Sequence, residues 1–72
     1  MKLKLGKYQH YKGNFYKVLG VGKHSETLEE LVVYEALYEN KDGKLWVRSL
    51  KMFTEEIVVN GKKLPRFKFV EK

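Results

Sequence analysis

The stretch Glu56-Ile57-Val58-Val59-Asn60-Gly61-Lys62-Lys63-Leu64-Pro65-Arg66-Phe67-Lys68-Phe69-Val70 decides the fold class. Asn60-Gly61 is a strong hairpin signal, because both residues tolerate the positive φ of a type I′ turn. It divides Glu56–Val59 from Lys63–Val70. In the second segment Phe67 and Phe69 share one face while Arg66 and Lys68 share the other, the period-two pattern of a half-buried strand. Pro65 fits strand entry at an edge, where a missing N–H leaves no ladder bond unmade.

Working outward, further turn signals cut the chain into short pieces. Asn40-Lys41-Asp42-Gly43 separates Leu31–Tyr38 from Leu45–Arg48, and Lys12-Gly13-Asn14 separates Tyr8–Tyr11 from Phe15–His24. Leu45 and Val47 oppose Trp46 and Arg48 across their strand. Gly20 and Gly22 are read on the same face as Tyr16, Val18 and His24, where a long strand would bend. Thr27 with Glu30 three residues on matches a capping box, but the β-branched and aromatic content of Leu31–Tyr38 favours a strand there. The reading is a short turn at Ser25–Glu30, then a strand. Segments recurring at about ten residues predict an all-β domain: a small barrel of about five strands with a short helical turn.

Composition agrees and narrows the options. Seventy-two residues make one domain, 1–72, with residues 1–6 expected as a flexible or edge N-terminus. The chain is 43% hydrophobic and 14% aromatic, too apolar for a disordered tail. It has no cysteine, which removes disulfide scaffolds and thiolate metal sites. The longest apolar run, Leu31-Val32-Val33-Tyr34, is far short of the ~20 residues that span a bilayer. The lysines among Met1–Lys7 interrupt any signal-peptide core, so a cytoplasmic protein without membrane association is expected.

The net charge of +6 is unevenly spread. Residues 1–24 carry Lys2, Lys4, Lys7, Lys12, Lys17 and Lys23 with no acid, and residues 25–40 carry Glu26, Glu29, Glu30, Glu35 and Glu39 with no base. The C-terminal third is basic again. Either the blocks attract across the fold, or the two basic blocks share a face that meets an anion.

Taken together, the motifs Tyr11-Lys12-Gly13-Asn14-Phe15-Tyr16-Lys17-Val18-Leu19, His24-Ser25-Glu26-Thr27, Leu31-Val32-Val33-Tyr34, Ala36-Leu37-Tyr38, Trp46-Val47-Arg48, Met52-Phe53 and Pro65-Arg66-Phe67 carry a resemblance. The chain resembles the bacterial family catalogued as domain of unknown function 1653, short and mostly stand-alone proteins. The resemblance implies an SH3-like β-barrel and no particular activity. Ser49 departs from it, standing where the family typically has proline, which leaves the rigidity of the Arg48–Phe53 connection in question.

Candidate sites follow from chemistry. His24-Ser25-Glu26-Thr27 is the densest polar cluster, and with Tyr34 it defines the alternative of a small-molecule sensor or small enzyme. Neighbouring strand residues point to opposite faces, however, so the cluster reads equally as a strand-end turn satisfying its own backbone. Trp46 and Arg48 supply a stacking plane and a planar cation, suited to a ligand, or else close the barrel end with Arg48 paired to a glutamate. The five tyrosines Tyr8, Tyr11, Tyr16, Tyr34 and Tyr38 serve either as a groove or as cross-strand pairs. Lys12, Lys17, Lys23, Arg48 and Arg66 are the candidate anion contacts, with Tyr16 and Trp46 for stacking. His10 and His24 are the only histidines and show no ligand spacing. The Lys12–Asn14 turn is expected to set His10 near Lys17. No metal, cofactor or catalytic residue is assigned, and the sequence leaves the oligomeric state open. The expectation is a non-catalytic binding module for a nucleic acid or an acidic protein surface.

Overall fold

The computed structural model describes residues 3–72, so Met1 and Lys2 of the expected N-terminal segment lie outside the described residues. The strands are β1 (Gly6–His10), β2 (Phe15–Lys23), β3 (Glu30–Ala36), β4 (Leu45–Ser49), β5 (Glu56–Val59), β6 (Lys62–Pro65) and β7 (Phe67–Glu71), with one helical turn, α1 (Leu50–Phe53), between β4 and β5. Five of them form one antiparallel sheet in the order β4-β3-β2-β1-β7, and β5–β6 is a separate hairpin. The chain is therefore an all-β domain with a short helical turn. Asn60 and Gly61 have φ of 51° and 78°, the left-handed pair that the hairpin turn demands.

Three expectations need correction. Lys63–Val70 is not one strand: the Arg66 N–H donates to the Glu55 carbonyl and the Arg66 carbonyl accepts from Tyr11 N–H, both at 3.0 Å, which turns the chain from β6 into β7. Gly20 and Gly22 do not share a face with Tyr16 and Val18. Register slips between Val18 and Gly20, leaving Leu19 as a bulge, so Gly20 pairs with Val33 and Val21 with the buried Val32. The expected turn before β3 is present at Ser25–Thr27, followed by Leu28 at φ 63°, and the short helical turn is Leu50–Phe53. Finally, His10 is set by its hairpin opposite Asn14, whose carbonyl accepts from the His10 N–H at 2.8 Å, and not near Lys17.

Ser49 answers the question its position raised. Its Oγ accepts the Met52 N–H at 3.1 Å and its φ is −58°, so a side-chain cap supplies what a proline ring would fix. The capped turn drops Phe53 onto the sheet, where it stacks on Phe67 at 4.0 Å between centroids and 5° between planes. Tyr8, Val18, Val32, Tyr34, Ala36, Phe53 and Phe67 are buried, and Leu3 packs against this core from the N-terminal side. Tyr8 Oη donates to the Lys4 carbonyl at 2.6 Å. No described helix is long and apolar enough to cross a membrane.

The acidic block lies in and beside β3, next to basic β2: Lys17 pairs with Glu35 and Lys23 with Glu30 across the ladder. Lys44 Nζ adds a 3.8 Å contact to Glu35. Along β2 and β3 the charges thus alternate in sign.

Closure between β1 and β7 depends on Gly6. Its φ is 133°, and an added Cβ would stand 2.5 Å from the Glu71 carbonyl oxygen. Gly20 has open space around the same position. Gly6→Ala is expected to cost about 1–3 kcal/mol by forcing backbone apart, which for a domain this small lowers Tm by roughly 4–8 °C per kcal/mol. Gly20→Ala is expected to stay within about 1 kcal/mol of the parent. Thermal and urea unfolding of the two variants distinguish these outcomes.

Candidate anion-binding site

On the inner face of the sheet, pairing brings Val32 beside Arg48 and Tyr34 beside Trp46, so β4 presents its polar aromatic pair to the side that holds the core. Arg48 is half-buried there. Its Nε donates to Tyr34 Oη at 3.4 Å, and its guanidinium lies 5.7 Å from the Phe67 ring centroid. Among the described residues no carboxylate stands within ion-pair distance of it. The expected alternative of a glutamate partner for Arg48 is not what the fold builds.

Phe67 is the centre of this aromatic cluster. His10 meets its edge at 4.9 Å, Tyr16 at 5.6 Å and Tyr34 at 5.6 Å between centroids. Tyr16 Oη and Tyr38 Oη share a 2.8 Å hydrogen bond, and Asn40 Nδ2 donates to Tyr38 Oη at 3.3 Å. Burial, then the hydrogen bond from Tyr38, pushes the Tyr16 hydroxyl up to about 12, so it stays protonated at neutral pH. Arg66, next to Phe67 in sequence, gives one nitrogen to Glu55 Oε1 at 3.2 Å, while its Nε is buried without a hydrogen-bond partner among the described residues. Trp46 is half-buried against the core, and its indole Nε1 is likewise buried and unpartnered.

The remaining candidates are distributed as follows. Lys12 lies in the β1–β2 turn, close enough to His10 to act on it electrostatically. Lys17 takes its place in the β1–β2–β3 ladder between Lys7 and Glu35, and Lys23 ends β2 at the far side of the sheet. Arg48, Arg66 and Lys12 all lower the His10 pKa electrostatically, whereas Lys17 and Lys23 do not figure there. His24-Ser25-Glu26-Thr27 is an exposed turn bonded to itself: Glu26 and Thr27 N–H groups donate to His24 Nδ1 at 3.1 and 3.3 Å, and Thr27 Oγ1 accepts from Glu29 N–H. Tyr34 sits four residues along β3 from Glu30 and belongs with Arg48, not with this turn. His10 and His24 lie at opposite ends of β2.

Two members of this cluster, His10 and Asn40, are not among the sequence-based candidates for a ligand or anion contact. The alternation of His10 with the core residue Tyr8 on β1 already sets it facing inward. Tyr38 and Asn40 belong to the β3–β4 connection, where no local pattern signals contact with Tyr16. A separate groove of about 770 Å³, lined by Leu3, Leu5, Val18 and Leu19 with flanking lysines, includes none of these polar groups.

The fold and these contacts together define a small all-β domain with one arginine set over an aromatic cluster. The chain belongs to the family described as protein of unknown function (DUF1653), whose model matches residues 6–69. It is similar to the crystal structure of a member of that family from Bordetella bronchiseptica, with a TM-score of 0.91 and 35% identity over 96% of this chain and 88% of that one. No curated protein matches the sequence.

Burial, then the cations Arg48, Arg66 and Lys12, holds His10 below the usual histidine range. A histidine with a lowered folded pKa is protonated more readily in the unfolded chain, so stability is full above about pH 6.5 and falls as pH drops below it. Urea unfolding is expected to show lower stability at pH 5.5 than at pH 7.5. His10→Gln is expected to flatten that slope, and an unchanged slope counts against the electrostatic assignment.

Proposed function

We propose that this protein is a non-catalytic binding module, built as an SH3-like barrel, that recognises an anionic partner through Arg48 and the aromatic side chains around it. The order of the main sheet supports the barrel reading: β1 to β4 run as a meander, and β7 returns to pair with β1. One observation carries the functional reading. The chain has thirteen lysines and only two arginines, and one of these, Arg48, is half-buried over the Phe67 ring with no carboxylate within ion-pair distance among the described residues. Arginine presents a planar fork that holds oxyanions in two directions at once, which a lysine ammonium does not.

Nucleic acid is favoured over an acidic protein surface by the ring content of the same region. Tyr11 is exposed beside His10, with ring centroids 4.6 Å apart, and Lys12 Nζ stands 5.8 Å from the Tyr11 ring. An open ring next to a cation suits a base and its phosphate. The self-bonded His24–Thr27 turn supports a binding role over catalysis, since backbone amides already occupy the imidazole nitrogen that a base would use. The expected cytoplasmic setting is retained with this reading.

Titration with labelled single-stranded RNA and DNA at ~50 mM salt tests it, because phosphate contacts are strongest at low ionic strength. Arg48→Ala is expected to weaken binding roughly 5- to 150-fold, the range of a charge-assisted hydrogen-bonded contact of about 1–3 kcal/mol. Lys17→Ala is expected to change it much less. Absence of binding at that salt, or equal loss in both variants, overturns the proposal.

A further inference from the structure

Two surfaces apart from Arg48 are complementary to each other. The first is the groove of about 770 Å³. β1 ends opposite Val18, and the groove opens where β2 runs on beyond it. Leu5 and the bulge residue Leu19, both large and exposed, line it together with the buried Val18. Lys4, Lys17 and Lys72 line it too, and none of them is ion-paired among the described residues.

The second surface is the turn that carries His24-Ser25-Glu26-Thr27. Leu28 follows it at φ 63°, a left-handed conformation that leucine rarely adopts. The loop holds it there. Leu28 N–H donates to the His24 carbonyl at 2.9 Å, His24 N–H donates to the Glu29 carbonyl at 2.8 Å, and His24 Nδ1 accepts the Glu26 and Thr27 amides. Leu28 is 65% exposed, so this conformation serves no packing in the core. Glu26, Glu29 and Glu30 flank it, also exposed, with no cation within ion-pair distance among the described residues. A leucine held out rigidly between carboxylates is the counterpart of an apolar groove edged by ammonium groups.

We propose that the groove is the docking site for the Leu28 turn of a second copy of this chain. Leu28 enters among Leu5, Val18 and Leu19, while Glu26, Glu29 and Glu30 face Lys4, Lys17 and Lys72. The contact joins two different surfaces, so it is head-to-tail. Within one molecule the two stay apart, since Leu28 lines no part of the groove. Because the turn is already rigid, little ordering entropy opposes docking. A nucleic acid would satisfy the lysines but set phosphates against Leu5 and Leu19, whereas the turn matches both the charge and the apolar lining. The contact does not involve Arg48 and stands or falls apart from the anion-binding reading.

The test follows the full chain by sedimentation velocity and 15N amide spectra up to ~1 mM protein, a range needed because contacts this small are weak. Association is expected, with amide shifts at both the turn and the groove, and it weakens as salt rises from ~50 to ~500 mM. Leu28→Gly suits a positive φ while removing the side chain, so stability is expected to hold or rise while association falls about tenfold or more. Leu19→Asp spoils the groove and leaves the turn. Each variant alone is expected to stay monomeric, whereas their mixture forms a one-to-one dimer through the groove of the first and the turn of the second. Amide spectra check that each variant folds, and Lys17→Glu replaces Leu19→Asp if that variant does not. No association of the parent chain at ~1 mM overturns the proposal. Association that Leu28→Gly leaves unchanged, or a mixture that stays monomeric, overturns it as well.

Discussion

The ring of Phe67 is the contact on which the rest of the molecule depends. It stacks on Phe53, meets His10, Tyr16 and Tyr34 edge-on, and lies beneath the Arg48 guanidinium. Those partners come from α1, β1, β2, β3 and β4, so one side chain from the last strand joins every layer of the main sheet. Aromatic pairs of this kind contribute roughly 0.5–1.5 kcal/mol each beyond their buried area. For 72 residues the whole net stability is about 4–11 kcal/mol, so a handful of such pairs is a large share of it. The same ring packs in the core and lies against the half-buried Arg48. On the proposed reading, stability and recognition share a residue, which limits how far the site can vary without loosening the fold.

Much of this architecture is legible in the residues. Asn60-Gly61 specifies its own turn, because the left-handed φ it needs is local chemistry. The alternation of Phe67 and Phe69 with Lys68 marks a strand for the same reason. What escapes is whatever changes parity or connects distant segments. The bulge at Leu19 moves Gly20 and Gly22 to the opposite face without any change in composition, so a period-two reading carried through it inverts every later residue. The helical turn at Leu50–Phe53 is too short to show a helical period, whereas Thr27 and Glu30 imitate a helix start in a segment that stays a turn. The cluster around Phe67 is assembled by β7 closing on β1, and no spacing along the chain announces that His10, Tyr16, Tyr34 and Arg48 will meet at one ring.

The distribution of charge also changes meaning in three dimensions. Net charge and basic blocks suggest a broad positive surface, yet acidic β3 runs beside basic β2 and cancels much of it along the ladder. What remains specific is small: two arginines, a neutral histidine and several hydroxyls over an apolar floor. A half-buried guanidinium without a carboxylate partner is costly in a lean domain, because its desolvation is offset only by Tyr34 and the face of Phe67. Its presence is easier to account for by recognition than by stability.

Pairing of β1 with β7 has a further consequence for how the molecule comes into being. β1 leaves the ribosome well before β7, and until β7 arrives one edge of β1 offers its free N–H and C=O groups to any neighbour. Tyr8, His10 and Tyr16 wait uncovered over the same interval, since the ring that roofs them is Phe67. Closure between such distant segments places this domain among the slower small folders, in milliseconds to seconds rather than microseconds. The polar, lysine-rich character of the first strands then acts as a safeguard during synthesis, keeping the half-made sheet in solution until its last strand seals it.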